Sequence, residues 1–85
     1  MRKLVEVAGE GLESLLGELV TLFCVNYFYT GTLTGVNETC VLIADPKIIY
    51  ETGAWTNATW KDAQSLCTDE LFVQTSAIEA FGVLK

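Results

Sequence analysis

Residues 19–26, LVTLFCVN, are apolar at nearly every position, the pattern of a strand covered on both faces. The next stretch, YFYTGTLTGVN over 27–37, alternates instead. Thr30, Thr32 and Thr34 fall on one face and Gly31, Leu33 and Gly35 on the other, which is the two-residue period of a strand. A tight turn near Asn26 and Tyr27 separates the two. A third apolar run, CVLIADPKIIYE over 40–51, is interrupted by Asp45 and Pro46. Proline donates no ladder hydrogen bond, so Pro46 marks an edge, a bulge or a bend. LFVQT (71–75) and AIEAFGVL (77–84) read as two short strands with a very tight turn between them.

Ahead of the strands, Leu12, Leu15 and Leu16 recur at i, i+3 and i+4, with Glu10 and Glu13 placed early and Gly17 as a stop. That spacing predicts an amphipathic helix capping a core. Residues 52–69 read as a loop, in which Thr56 or Asn57 could cap a short helix with Trp60, Ala63 and Leu66 along one side. The expected order over 1–85 is one domain: a helical region (1–17), three strands (18–51), a loop (52–69) and two strands (70–85). The fold class is therefore mainly β, an N-terminal helix followed by a five-stranded, strongly bent antiparallel sheet. Glycine packs nothing and weakens a flat strand. Gly31 and Gly35 fit a ribbon that must coil into a small barrel.

Composition adds a second expectation. A chain of 85 residues buries only roughly 60–65 % of the surface it exposes when unfolded. Yet 51 % of these residues are apolar, more than so small a core hides, so another copy of the chain is expected to cover part of the surface. No apolar run reaches the ~18–20 residues that span a bilayer. The opening MRKLVEVAGEG lacks the long apolar segment of a signal peptide. Cys24, Cys40 and Cys67 are odd in number and widely spaced, which fits free thiols in a reducing cytoplasm. Outside a secretory route, the glycosylation triplets beginning at Asn37 and Asn57 are coincidental.

Charge and residue type then remove several kinds of chemistry. Five basic residues face eleven acidic ones, a net charge of −6. Arg2, Lys3 and Lys85 sit at the termini, which argues against strong, salt-driven binding of duplex DNA. Histidine is absent, and with it the commonest general base and zinc ligand. The cysteines have no C-x-x-C spacing, and Asp69-Glu70 has no visible catalytic partner. No glycine-rich loop leads into a helix to cradle a phosphate. Neither an enzyme, nor a metal site, nor a small-molecule cofactor is expected. Trp55, Trp60, Tyr27, Phe28 and Tyr29 could stack on bases or simply pack a small barrel and its interface. Phe28 shares a face with Thr30 and Thr32 and is the one expected to be exposed.

Several stretches resemble the Sm/LSm proteins, closest in pattern to their bacterial Hfq branch. The first Sm motif is similar to residues 17–45: Gly17, Val20, Asn26 at the turn, Gly31-Thr32-Leu33-Thr34-Gly35-Val36-Asn37, and Cys40-Val41-Leu42-Ile43. The second is similar to Val73-Gln74-Thr75-Ser76-Ala77-Ile78, where the Hfq branch usually has valine-tyrosine-lysine-histidine-alanine-isoleucine. The resemblance implies a helix, five bent strands, and a homo-oligomeric ring in which the fourth strand of one subunit pairs with the fifth of the next. It also implies binding of single-stranded RNA or DNA around the pore, by Asn37, Thr39 and Gln74, Thr75 and Ser76; Phe28 is a further candidate from its place on the strand and not from the resemblance. The chain departs from the family at those positions. Thr39 cannot stack on a base, and Gln74 to Ser76 are neutral where the family is basic.

Two other classes compete with a ring that binds nucleic acid. One is an Sm-like scaffold whose partners are proteins. The other is an OB-fold or SH3-like barrel, with residues 56–66 supplying the helix an OB-fold places between strands three and four.

Overall fold

The computed structural model describes residues 11–84. Six strands follow one another: β1 (Leu19–Cys24), β2 (Phe28–Val36), β3 (Cys40–Glu51), β4 (Asp62–Ser65), β5 (Glu70–Gln74) and β6 (Ile78–Gly82). All pairings are antiparallel. The sheet runs β4-β3-β2-β1-β6, and β5 pairs with β3 as well. β3 can have two neighbours on one side because it is long: Cys40–Ala44 pairs with β5 and Lys47–Glu51 with β4.

The break between the two halves is where the sequence places it. Asp45 and Pro46 together stand opposite Gly31, because Thr30 pairs with Lys47 and Thr32 with Ala44. Asp45 takes the left-handed φ of 49°, a conformation aspartate tolerates better than most residues. A Cβ on Gly31 would lie 2.9 Å from the Ala44 carbonyl oxygen and 3.2 Å from Ile43 Cβ. The strand crosses its neighbour too closely for any side chain there, so Gly31 is required by the bulge.

Gly35 has a different role. The register shifts again between Leu33 and Gly35, so that Gly35 pairs with Leu42. Thr34 is the extra residue, and its Oγ1 donates to the Leu42 carbonyl at 3.2 Å. The bulge moves Gly35 off the face it would share with Gly31 in an unbroken strand. The single-face reading of the two glycines is corrected accordingly.

One side of this bent sheet holds the aliphatic core: Val20, Leu22, Cys24, Leu33, Val41, Ile43 and Val73. From Val20 to Leu22 β1 is covered on both faces, as its mostly apolar run implies, while Leu19 at its start is exposed. Its Thr21 is as fully buried as Val20 and Leu22. Register places Phe23, Phe28, Ile49 and Ala63 in a row across the opposite face. There Phe23 meets Phe28 edge-on at 4.8 Å and Trp55 at 5.9 Å, and Trp55 meets Trp60 at 5.7 Å. The 52–61 loop therefore folds back over the outer face.

Two helix expectations are corrected. The helical region 1–17 lies partly outside the described residues. Inside them it is a single 3₁₀ turn, Leu12–Leu15, with no side-chain cap. The chain leaves the helix because Gly17 donates to the Leu33 carbonyl (2.7 Å) and Leu33 to that of Glu18 (2.9 Å), drawing it into the sheet. Gly17 does stop the turn, at a φ of 90°. The short helix expected from Thr56 or Asn57 is likewise not formed. Asn57 donates to Ala54 and Lys61 to Thr52, closing a hairpin that delivers β4 to the rear half of β3. That half presents unpaired backbone groups, and pairing satisfies them where a helix would not. The loop expected over 52–69 thus contains a strand, and among the described residues the sheet has six strands where five were expected.

Candidate functional site

The loop after β2 and the turn after β5 meet at one end of the sheet. Asn37 Oδ1 accepts from the backbone of Thr39 (2.8 Å) and Cys40 (2.9 Å) and from Thr39 Oγ1 (3.1 Å). This Asx-type closure turns β2 into β3. Thr75 then ties the second segment to the first: its backbone donates to the Thr39 carbonyl (2.9 Å) and its Oγ1 to that of Glu38 (3.3 Å). Gln74 pairs with Cys40 across β5 and β3, and Ser76 follows in the 3₁₀ turn Thr75–Ala77.

Asn37, Thr39, Gln74, Thr75 and Ser76 are thus gathered into one cluster, with Asn37, Thr39, Gln74 and Ser76 exposed. Phe28 is not part of it. It begins β2, at the opposite end from Asn37, and is half-buried against Phe23. Of Asn37, the carbonyl oxygen is fully used by the turn, leaving the Nδ2 group to donate. The charged residue among these loops is Glu38, an acid.

The two edges of the sheet path β5-β3-β2-β1-β6 carry exposed apolar side chains between polar ones, Glu70 and Gln74 on β5 and Glu79 on β6. On β5, Phe72 is 71 % exposed; on and after β6, Phe81, Val83 and Leu84 are exposed. Beside β5 lies a groove of about 310 Å³, lined by Leu71, Phe72, Val73, Cys24, Tyr27 and Tyr29 among others. Backbone donors and acceptors along a strand edge are a template for a further strand. Part of the excess of apolar residues in the composition is displayed here; Leu16, Leu19, Val25, Tyr50 and Trp55 expose more of it elsewhere.

Cys24 sits in the core, where burial, aided by the Glu79 carboxylate, pushes its thiol pKa up. A thiol so placed is a poor nucleophile. Burial also raises the Tyr29 hydroxyl, with smaller contributions from Cys24 and Tyr27. Among the described residues no three histidine, cysteine, aspartate or glutamate side chains gather where they could hold a metal ion. Nor is any described helix long and apolar enough to cross a membrane.

Sequence reasoning missed a second concave surface. On the outer face, a groove of about 350 Å³ runs between the Asp45–Pro46 bulge and the returning loop, and Lys47, Trp60, Lys61, Asp45 and Asp62 line it. Lys47 and Lys61 are the basic residues of the described chain. Lys61 reaches Glu51 at 3.3 Å, an exposed pair. The available signal was the break at Pro46 followed by a loop with two tryptophans.

No family model, no curated protein and no solved structure matches this chain.

Proposed function

We propose that this chain is an Sm-like subunit that assembles head to tail into a ring and binds single-stranded RNA or DNA in a reducing cytoplasm. The observation that carries the reading is the strand order. The path from β5 through β3, β2 and β1 to β6 leaves β5 and β6 as edges with exposed apolar side chains, Phe72 on one and Phe81 on the other, joined by the 3₁₀ turn Thr75–Ala77. Copies joined edge to edge repeat one contact, and such a contact closes into a ring when its rotation permits. The loop cluster of Asn37, Thr39 and Gln74 to Ser76 would then face the pore. Three cysteines free of disulfides suit the compartment. The chain acts by binding and not by catalysis, in keeping with its lack of histidine.

Native mass spectrometry combined with fluorescence anisotropy tests both parts. The expected result is a multiple of the 9.3 kDa chain mass that binds U-rich RNA, A-rich RNA or single-stranded DNA, more weakly as salt rises. Phe72→Glu is expected to release monomers by placing a charge on the β5 edge. A wild-type monomer would overturn the ring and favour an isolated OB-like or SH3-like barrel.

One observation favours a second reading, a scaffold for protein partners. The loop cluster is neutral apart from Glu38, and the acceptor of Asn37 is spent on its own turn. A ring that binds no oligonucleotide at any salt concentration would leave the scaffold.

A further inference from the structure

We infer that the outer groove, and not the loop cluster, takes the nucleotide: a base against Trp60 and its phosphate at Lys47, with Asp45 and Asp62 on the base edge. This rests on the reading of the chain as a single-strand binder and deepens it by naming where the strand lies and which bases it prefers.

Three features of the groove converge on that ligand. Its volume of about 350 Å³ falls within the roughly 300–1,000 Å³ of small-molecule sites. Trp60 supplies an aromatic wall braced by Trp55, whose ring stands edge-on to it at 88°, and stacking on such a wall is tolerant of sequence. The groove also collects both basic residues of the described chain, whereas the loop cluster contains neither. Lys61 is shared with Glu51. Lys47 is exposed and makes no ion pair within the described chain, so its ammonium is the one available to a phosphate.

The carboxylates refine the occupant. Asp45 and Asp62 repel a phosphate but accept hydrogen bonds from a base. Asp45 is fixed in place by the bulge, its backbone N–H donating to the Asp69 carbonyl at 2.9 Å. Carboxylates pair with exocyclic amino groups, as with N4 of cytosine. Uracil and thymine carry no such group. The groove should therefore favour cytosine, adenine or guanine over uracil or thymine, and the acidic surroundings and single phosphate contact should keep affinity modest and its salt dependence shallow.

The test uses the full chain with oligo-dC and oligo-dT, followed by anisotropy and by Trp60 fluorescence in the Trp55→Phe variant. Oligo-dC should quench Trp60 and bind more tightly than oligo-dT. Lys47→Gln, a surface change, should weaken both oligomers. It should also make the slope of log affinity against log salt shallower by about 0.7, the share of one phosphate on a single strand. Asp62→Asn should narrow the preference for dC. Trp60→Leu should weaken binding roughly fivefold or more, with a thermal melt to check folding. If instead Lys47→Gln binds like wild type, Trp60 is not quenched, and Asn37→Ala or Gln74→Ala loses binding, the groove assignment is wrong and the loop cluster is the site. Should the wild-type chain bind neither oligomer, nor U-rich or A-rich RNA, the assignment and the nucleic-acid reading fall together.

Discussion

The two halves of β3 belong to different parts of the molecule. The front half, Cys40–Ala44, pairs with β5 and sends Val41 and Ile43 into the aliphatic core, both fully buried. The rear half, Lys47–Glu51, pairs with β4, and its Ile49 is buried outside that core cluster, in register with Phe28 and Ala63. Between them the Asp45–Pro46 bulge turns the strand. One continuous twelve-residue strand thereby serves two surfaces: the front half supports the assembly edge and loop cluster, the rear half the aromatic face and its groove. A bend, more than a break in the chain, is what lets 85 residues present both.

The largest expected effect tests whether the halves are energetically separate. Ile43→Ala should cost about 2–5 kcal/mol, as for a large side chain deleted from a close-packed core, and should abolish cooperative unfolding near ambient temperature. Ile49→Ala should cost less and loosen chiefly the β3–β4 hairpin, detected as faster amide hydrogen exchange over 48–51 and 62–65. Equal losses, with exchange rising everywhere, would mean that the two faces form one core.

The bend comes next. Gly31→Ala must push the Ala44 carbonyl or Ile43 aside, an overpacking expected to cost about 1–3 kcal/mol. Gly35→Ala meets Leu42 Cβ at an ordinary 3.4 Å and should change stability little, within roughly ±0.5 kcal/mol. Denaturant midpoints of the two variants measure the difference directly. A tolerated Gly31→Ala would show that the bulge does not force the close approach.

A smaller effect belongs to the front half's loop. Asn37→Ala removes one acceptor that satisfies three donors, two of them backbone groups in an exposed turn where water can substitute. About 1 kcal/mol is expected, together with faster exchange of the Thr39 and Cys40 amides. Under the groove assignment, oligonucleotide affinity should stay the same.

This division also explains what the sequence could and could not reveal. Apolar continuity in 19–26, alternation in 27–37 and the Asp45–Pro46 interruption are local signals that mark β1, β2 and the bulge of β3, but the alternation could not show the second bulge, which moves Gly35 off the face of Gly31. β4 was hidden because Asp62-Ala63-Gln64-Ser65 has no β-branched or aromatic residue. Its strand conformation comes from the edge that the rear half of β3 offers. The Leu12, Leu15 and Leu16 spacing lost to hydrogen bonds with Leu33, a partner that local periodicity cannot see. Likewise Lys47 and Trp60 line one groove only because the hairpin returns the loop across the bulge. The cluster of Asn37, Thr39 and Gln74 to Ser76 was legible through a resemblance that pairs two short motifs, not through chemistry evident in either alone.

The smallest effect separates the core from the outer face by pH. Cys24 lies in the core, and burial raises its thiol pKa in the folded state above that of the unfolded chain. The neutral thiol is therefore the form the fold favours. Its contribution is fully present below the unfolded pKa, near about 8.5, and is lost as pH climbs through the raised folded value. Tyr29, also raised by burial, acts in the same direction at higher pH. Stability measured by urea titration should decline above roughly pH 8.5, and Cys24→Ala should flatten the first part of that decline while lowering stability at neutral pH. An unchanged slope in Cys24→Ala would mean that the core admits the thiolate, and with it water, more readily than a close-packed aliphatic cluster allows.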